Sequence, residues 1–149
     1  MDLTGQWADS LLALERLYYL KIVVWGALSI LGGSGVITGL LVSRTESRLL
    51  RRFAEVTLAS GVLAVLSGFL MRHGADLRDL TAAISLDRWL WFGIGFDAGL
   101  VLTGLVLTMC GTRAGAVWRP GMVGAGIAVI VQGLALALLT LQLSAGVVR

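Results

Sequence analysis

Charge, cysteine, histidine and proline are all scarce in this chain of 149 residues. Charged residues make up 14% of it, against about 25% in an average soluble protein. The single cysteine excludes an internal disulfide scaffold, and the single histidine and cysteine together are too few ligands for the usual zinc or haem sites. We therefore expect no metal site and no cofactor.

Long apolar runs are what the chain has instead. Of the 21 charged residues, 20 lie outside four otherwise uncharged segments: Ile22–Ser43, Val56–Met71, Trp89–Thr112 and Pro120–Val148. A helix needs about 20 apolar residues to cross a hydrocarbon core of about 30 Å, and these segments lack the polar face that a soluble bundle requires. The sequence predicts an all-α membrane protein, a bundle of four transmembrane helices. A single integral membrane domain covers 1–149, with spans at about 22–43, 54–71, 89–112 and 121–143.

Two further helices are predicted outside these spans. At the N-terminus, residues spaced by three or four positions form one apolar helical face: Leu3, Trp7, Leu11, Leu14 and Tyr18. This amphipathic helix either lies in the membrane interface or leads directly into the first span. Between the second and third spans, Asp76 is a candidate cap for a short interfacial helix whose apolar side carries Leu77, Leu80 and Ile84.

Positive charge is most concentrated in the two loops at 44–55 and 113–119. They hold half of the Lys and Arg residues, in far fewer positions than the segments on the terminal side. Because Lys and Arg accumulate in short cytoplasmic loops, both termini are predicted to lie outside.

An internal repeat is an open alternative. An offset of 65 residues superposes Val36, Thr38, Gly39 and Leu40 on Val101, Thr103, Gly104 and Leu105. The match indicates either two duplicated helical hairpins or chance, since Gly, Val and Leu dominate both halves.

Asp97 is the one ionisable residue inside the four segments. Counting depth at 1.5 Å per residue places Asp97, Gln132, Ser29 and Ser67 in one candidate polar layer. An Asp in mid-membrane costs roughly 2.5–3.5 kcal/mol on insertion scales, so it should face protein or a wet cavity. Either Asp97 is uncharged and holds the bundle together through hydrogen bonds, or the layer is a proton or solute site.

Glycines with a spacing of four are the other pattern. They occur as Gly35-x-x-x-Gly39 and Gly95-x-x-x-Gly99, and Gly104 continues the second helix. Small residues at this spacing allow close helix packing, either within one chain or between copies.

The third and fourth spans resemble an uncharacterised family of small bacterial four-span membrane proteins. The resemblance is carried by Gly95-Phe-Asp97-Ala-Gly99-Leu-Val-Leu-Thr-Gly104 and Gly124-Ala-Gly126-Ile-Ala-Val-Ile-Val-Gln132-Gly133. The chain departs from the family pattern at Thr140, where that pattern has an acidic residue. The resemblance implies four spans and a bacterial cytoplasmic (inner) membrane, and it supplies no catalytic residue.

Our first hypothesis is a non-enzymatic membrane protein that acts through helix packing with itself or with a membrane protein partner. The alternative is a small transporter or proton-linked permease that uses the Asp97 layer. No second Asp lies within the four segments to complete an aspartyl protease dyad, so we expect no enzyme. The expected surroundings are the lipid bilayer, with no nucleic-acid partner.

Overall fold

The computed structural model describes residues 3–73 and 80–147, with side chains described for 9–72, 85 and 88–146. Four helices account for most of this part: α1 (Leu3–Val42), α2 (Arg48–His73), α3 (Leu80–Arg113) and α4 (Arg119–Val147). Each is long and apolar enough to cross a membrane, and no strand occurs among the described residues. The prediction of an all-α protein with four membrane-spanning helices is confirmed.

Short loops join α1 to α2 and α3 to α4, so each pair forms a helical hairpin. α1 ends in a Schellman turn, in which Thr45 N donates to Leu40 O at 3.2 Å and Arg44 N donates to Leu41 O at 3.4 Å. In the second hairpin Pro120 lies in the first turn of α4, where its missing N–H leaves no helical bond unmade. The Arg48 guanidinium donates to Val117 O at 3.2 Å, so the two loops lie at the same end of the bundle.

The hairpins meet through their second helices. Within the described structure, α1 packs on α2, α3 packs on α4, and α2 also packs on α4. α1 touches α4 over a smaller region, whereas α3 packs against no helix other than α4. α3 therefore lies at the edge of the bundle, and most of its circumference is uncovered.

Glycine pairs bring the helices of each hairpin into backbone contact. A Cβ built on Gly26 would lie 2.7 Å from Gly61 O, and one built on Gly104 would lie 2.7 Å from Gly126 O. In both pairs the reverse contact has the same 2.7 Å distance. Only glycine fits such crossings, because in lipid the packing of close backbones replaces the hydrophobic effect as the force between helices.

The N-terminal amphipathic segment is continuous with the first span, which was one of its two predicted placements. α1 has 40 residues and is about 60 Å long at 1.5 Å per residue, well beyond the thickness of the hydrocarbon core. The short interfacial helix is not separate where the structure describes it, since Leu80 and Ile84 belong to α3. No Gly or Pro occurs between Leu80 and Phe92 to interrupt the helix. Asp76 and Leu77 lie outside the described residues.

The hairpins do not align at the offset of 65 that the repeat required. α2 begins at Arg48 and α4 at Arg119, so the hairpins align at an offset of 71 residues. Gly39, the offset-65 equivalent of Gly104, has no atom of another helix near its Cβ position, whereas Gly104 lies at a helix crossing. The sequence match at 65 therefore does not correspond to equivalent packing positions.

Candidate functional site

Five buried polar side chains are found in the described part of the chain, on three different helices. They are Glu15 and Ser29 on α1, Asp97 on α3, and Gln132 and Thr140 on α4. Glu15 is completely buried and Asp97 is 5% exposed. Because α1 and α3 both face α4 here, α4 supplies the residues that connect the other two helices.

Gln132 connects α4 to α1. Its Nε2 donates to Ser29 Oγ at 3.1 Å, and its Oε1 accepts from Trp25 Nε1 at 2.8 Å. The buried amide is therefore satisfied on both sides, which in an apolar bundle ties these two helices together. Both contacts lie where the depth count expected Ser29 and Gln132 to meet.

Asp97 is bonded to Thr140, which lies one and a half to two turns closer to the C-terminus of α4 than Gln132. Thr140 Oγ1 lies 3.2 Å from Asp97 Oδ2 and 3.2 Å from the Tyr18 hydroxyl, and it also donates to Leu136 O at 3.0 Å. Threonine has one hydroxyl proton, so when this proton goes to Asp97 the Tyr18 hydroxyl donates to Thr140. The result is a chain of side-chain hydrogen bonds from α1 through α4 to α3.

Glu15 is a second buried carboxyl close to this chain. It accepts a hydrogen bond from the Tyr19 hydroxyl at 2.7 Å, and the Tyr19 ring lies 5.5 Å from the Tyr18 ring, centroid to centroid. Our sequence analysis placed Glu15 outside the spans, before Lys21, and so missed it. The available signal was its spacing: Glu15 is four residues from both Leu11 and Tyr19, and both of those side chains are buried.

Ser67 belongs to a different environment from the rest of the predicted layer. Its Oγ donates to Ala64 O within α2 at 3.1 Å. A serine that bonds back to its own helix needs no partner from another helix. The predicted layer thus divides into a Ser29–Gln132 contact, a separate Asp97–Thr140 contact, and Ser67, whose hydroxyl bonds only within α2.

A sequence model described as a family of unknown function (DUF6992) matches residues 21–141. The chain belongs to this family. The resemblance to an uncharacterised family is therefore confirmed, and the bacterial origin stays a prediction. No curated protein and no solved structure is significantly similar to the chain.

The family description names no activity, so the chemistry available to this DUF6992 chain comes from the geometry of its residues. Across the described residues, no group of three or more His, Cys, Asp or Glu side chains is placed to hold a metal ion. What the buried groups can do is exchange protons along hydroxyls and carboxyls, or fix the relative positions of α1, α3 and α4.

Four of the five predicted packing glycines do not pack within the chain. Gly35, Gly39, Gly95 and Gly99 have no atom outside their own helical surroundings within 4 Å of a built Cβ, and only Gly104 lies at a crossing. The crossings use Gly26, Gly61 and Gly126, which the spacing pattern did not single out. The x-x-x motif identifies small residues but not the direction in which they face, and these two motifs face outward.

Proposed function

We propose that this protein is a non-enzymatic integral membrane protein that works as an oligomer of its own chain, associating through α3. The observation that carries the proposal is the open surface at Gly95 and Gly99, on the one helix that packs against a single neighbour. The proposed occupant is a second copy, whose α3 lies parallel to the first across a two-fold axis along the membrane normal.

The two sides of α3 differ in a way that suits this role. The side against α4 carries residues at a spacing of seven, and all four are buried: Leu90, Asp97, Gly104 and Gly111. At 100° per residue, Gly95 and Gly99 lie almost directly opposite that side, together with Leu102 and Val106. Leu102 is 63% exposed and Val106 58%, so large apolar side chains flank a shallow glycine surface. A second helix that meets this surface gains close backbone packing.

The glycine motif on α1 is less suited to the same contact. α1 already packs on α2 and touches α4, and Gly39 lies three residues before the helix ends at Val42. Gly95 and Gly99 lie in the middle of α3, at the depth where no water competes for backbone groups. We therefore assign the contact to α3 and treat association through α1 as the outcome that would contradict it.

A cysteine scan tests the assignment. In a Cys110→Ser chain, Leu102→Cys should form disulfide-linked dimers under mild oxidation in membranes, since Leu102 is on the proposed contact surface. Leu105→Cys is the matched control, at nearly the same depth and exposed but turned toward the side of the helix. Equal cross-linking of the two would indicate random collision and would remove the support for a defined dimer.

Glycine variants supply the second arm. Gly99→Leu should abolish the Leu102→Cys cross-link, and it should leave the monomer folded because open space surrounds the position. Gly32→Leu, at an equally open site on α1, should leave the cross-link unchanged. If Gly39→Leu abolishes cross-linking and Gly99→Leu does not, the contact lies on α1 instead.

Proton-linked transport is a second candidate, favoured by the burial of Glu15 beside the Asp97 chain. Two buried carboxyls with hydroxyls between them are a feature that proton-coupled membrane proteins use, and one intramembrane carboxyl alone would be a thin site. Proteoliposomes containing a pH-sensitive dye would test it. Flux that Asp97→Asn abolishes would favour transport, whereas flux equal to that of empty liposomes would count against it.

A further inference from the structure

A cavity of about 670 Å³ lies beside the loop that joins α1 to α2. One wall is apolar and consists of Ile37, Leu40 and Leu41 from the last turns of α1. The other wall is basic, because the loop and the start of α2 bring Arg44, Arg48 and Arg51 around the same space. Its volume is within the range of small-molecule binding sites, roughly 300–1,000 Å³.

The position of this cavity is as informative as its walls. The candidate span on α1 ends at Val42 and the next begins at Arg48, so the basic wall lies where apolar helix gives way to loop. In a bilayer this is the level of the lipid headgroups, and the apolar wall faces the acyl chains. A ligand that fits both walls is an amphiphile with an anionic head.

The arginines have unused hydrogen-bonding capacity. In the part of the chain that the structure describes, the Arg44 guanidinium donates to no protein acceptor, and Arg48 uses one terminal nitrogen on Val117 O. The contact to Val117 fixes the direction of Arg48 and leaves its other nitrogen available. A guanidinium presents several donors in a plane, which matches the oxygens of a phosphate.

Acidic side chains reduce the positive charge of the cavity without cancelling it. Glu55 accepts from Arg51 at 3.0 Å and from Arg52, outside the cavity lining, at 2.8 Å. Glu46 is the other carboxyl among the lining residues. Three arginines against these two carboxyls leave an excess positive charge, most of it at Arg44 and Arg48.

The backbone at Arg44 gives an independent indication that its side chain matters. Arg44 has φ of 51°, the only positive value at a non-glycine residue in the described structure. It occupies the position of a Schellman turn that glycine usually fills, because a side chain there is strained. An arginine kept in a conformation that favours glycine points to a use for the guanidinium.

We propose that this cavity binds the phosphate of an anionic phospholipid headgroup, held by Arg44 and Arg48, with the acyl chains along Ile37 and Leu41. The test uses the full chain in a neutral detergent, titrated with phosphatidylglycerol, and native mass spectrometry counts the bound lipid. One lipid should bind in preference to phosphatidylcholine. Each arginine removed should weaken binding about fivefold, the factor that corresponds to roughly 1 kcal/mol per cation near a lipid surface.

Arg44→Gly is the decisive variant, because glycine suits this backbone conformation and the fold is kept while the guanidinium is lost. Arg48→Gln is the second variant, and Arg113→Gln is the matched control from the other loop end, outside the cavity. If Arg113→Gln weakens binding as much as Arg44→Gly, the attraction is general and the site is refuted. If millimolar inorganic phosphate displaces the lipid, the cavity binds free phosphate and the lipid proposal is overturned.

Discussion

Replacing Gly104 by alanine should separate the two helices of the second hairpin. The added methyl would lie 2.7 Å from Gly126 O, 2.7 Å from Ile130 Cγ1 and 2.8 Å from Ile130 N. Two of these three atoms belong to the backbone of α4, so no change of side-chain rotamer can relieve the clash. α3 and α4 must move apart by about 0.7 Å locally to restore an ordinary contact of 3.4 Å.

The expected cost follows from two opposing effects. Inserting one methylene into a well-packed contact typically costs about 1–3 kcal/mol. Alanine returns up to about 1 kcal/mol through its higher helix propensity. We therefore expect Gly104→Ala to lower the free energy of unfolding by about 1–2 kcal/mol. Gly39→Ala meets no atom, so it should be neutral or stabilise by up to about 1 kcal/mol.

The assay is reversible unfolding of the purified chain in mixed micelles, with the fraction of sodium dodecyl sulfate increased and helix content followed by circular dichroism. The comparison is between Gly104→Ala and Gly39→Ala, which carry the same chemical change on two helices. Equal midpoints for the two variants would refute the crossing at Gly104 as the cause. A lower midpoint for Gly39→Ala alone would mean that Gly39 is the packed position.

Three further predictions concern polar residues. Asp97→Asn should keep the contact to Thr140 and nearly all stability, whereas Asp97→Leu should cost about 1 kcal/mol in the same titration; equal losses would show that the hydrogen bond is unimportant. Arg44→Gly should raise the free energy of unfolding by about 1 kcal/mol, and a decrease would contradict strain at this residue. In a chain without its native cysteine, an impermeant thiol reagent applied to intact cells should label Ser85→Cys and not Ser47→Cys. The reverse pattern would overturn the predicted orientation.

The length and apolar composition of the segments were sufficient to predict four helices, because a span has to satisfy its own backbone hydrogen bonds. The faces of those helices were harder to predict. In lipid the outside of a bundle is as apolar as its inside, so hydropathy does not distinguish the packed Gly26 from the open Gly35. Depth counting worked better, since Ser29 and Gln132 share a level and are in contact.

Glu15 shows the limit of counting charges along a sequence. It lies among Arg16, Lys21 and other polar residues, so it was assigned to the segment outside the membrane. α1 continues through this segment without a break, and one face of the helix stays against the bundle. A carboxyl on that face is buried although its neighbours in sequence are exposed.

Because α3 packs only on α4, the order in which the chain is synthesised leaves α3 alone for a time. α1 and α2 can pair as soon as both are in the membrane, but the helix that covers Asp97 is the last to be made. Until Thr140 arrives, the carboxyl faces lipid or water, at a cost of roughly 2.5–3.5 kcal/mol at mid-membrane. We therefore expect a chain that ends at Arg113 to retain α3 poorly in the bilayer, and the second hairpin to enter the membrane as a pair.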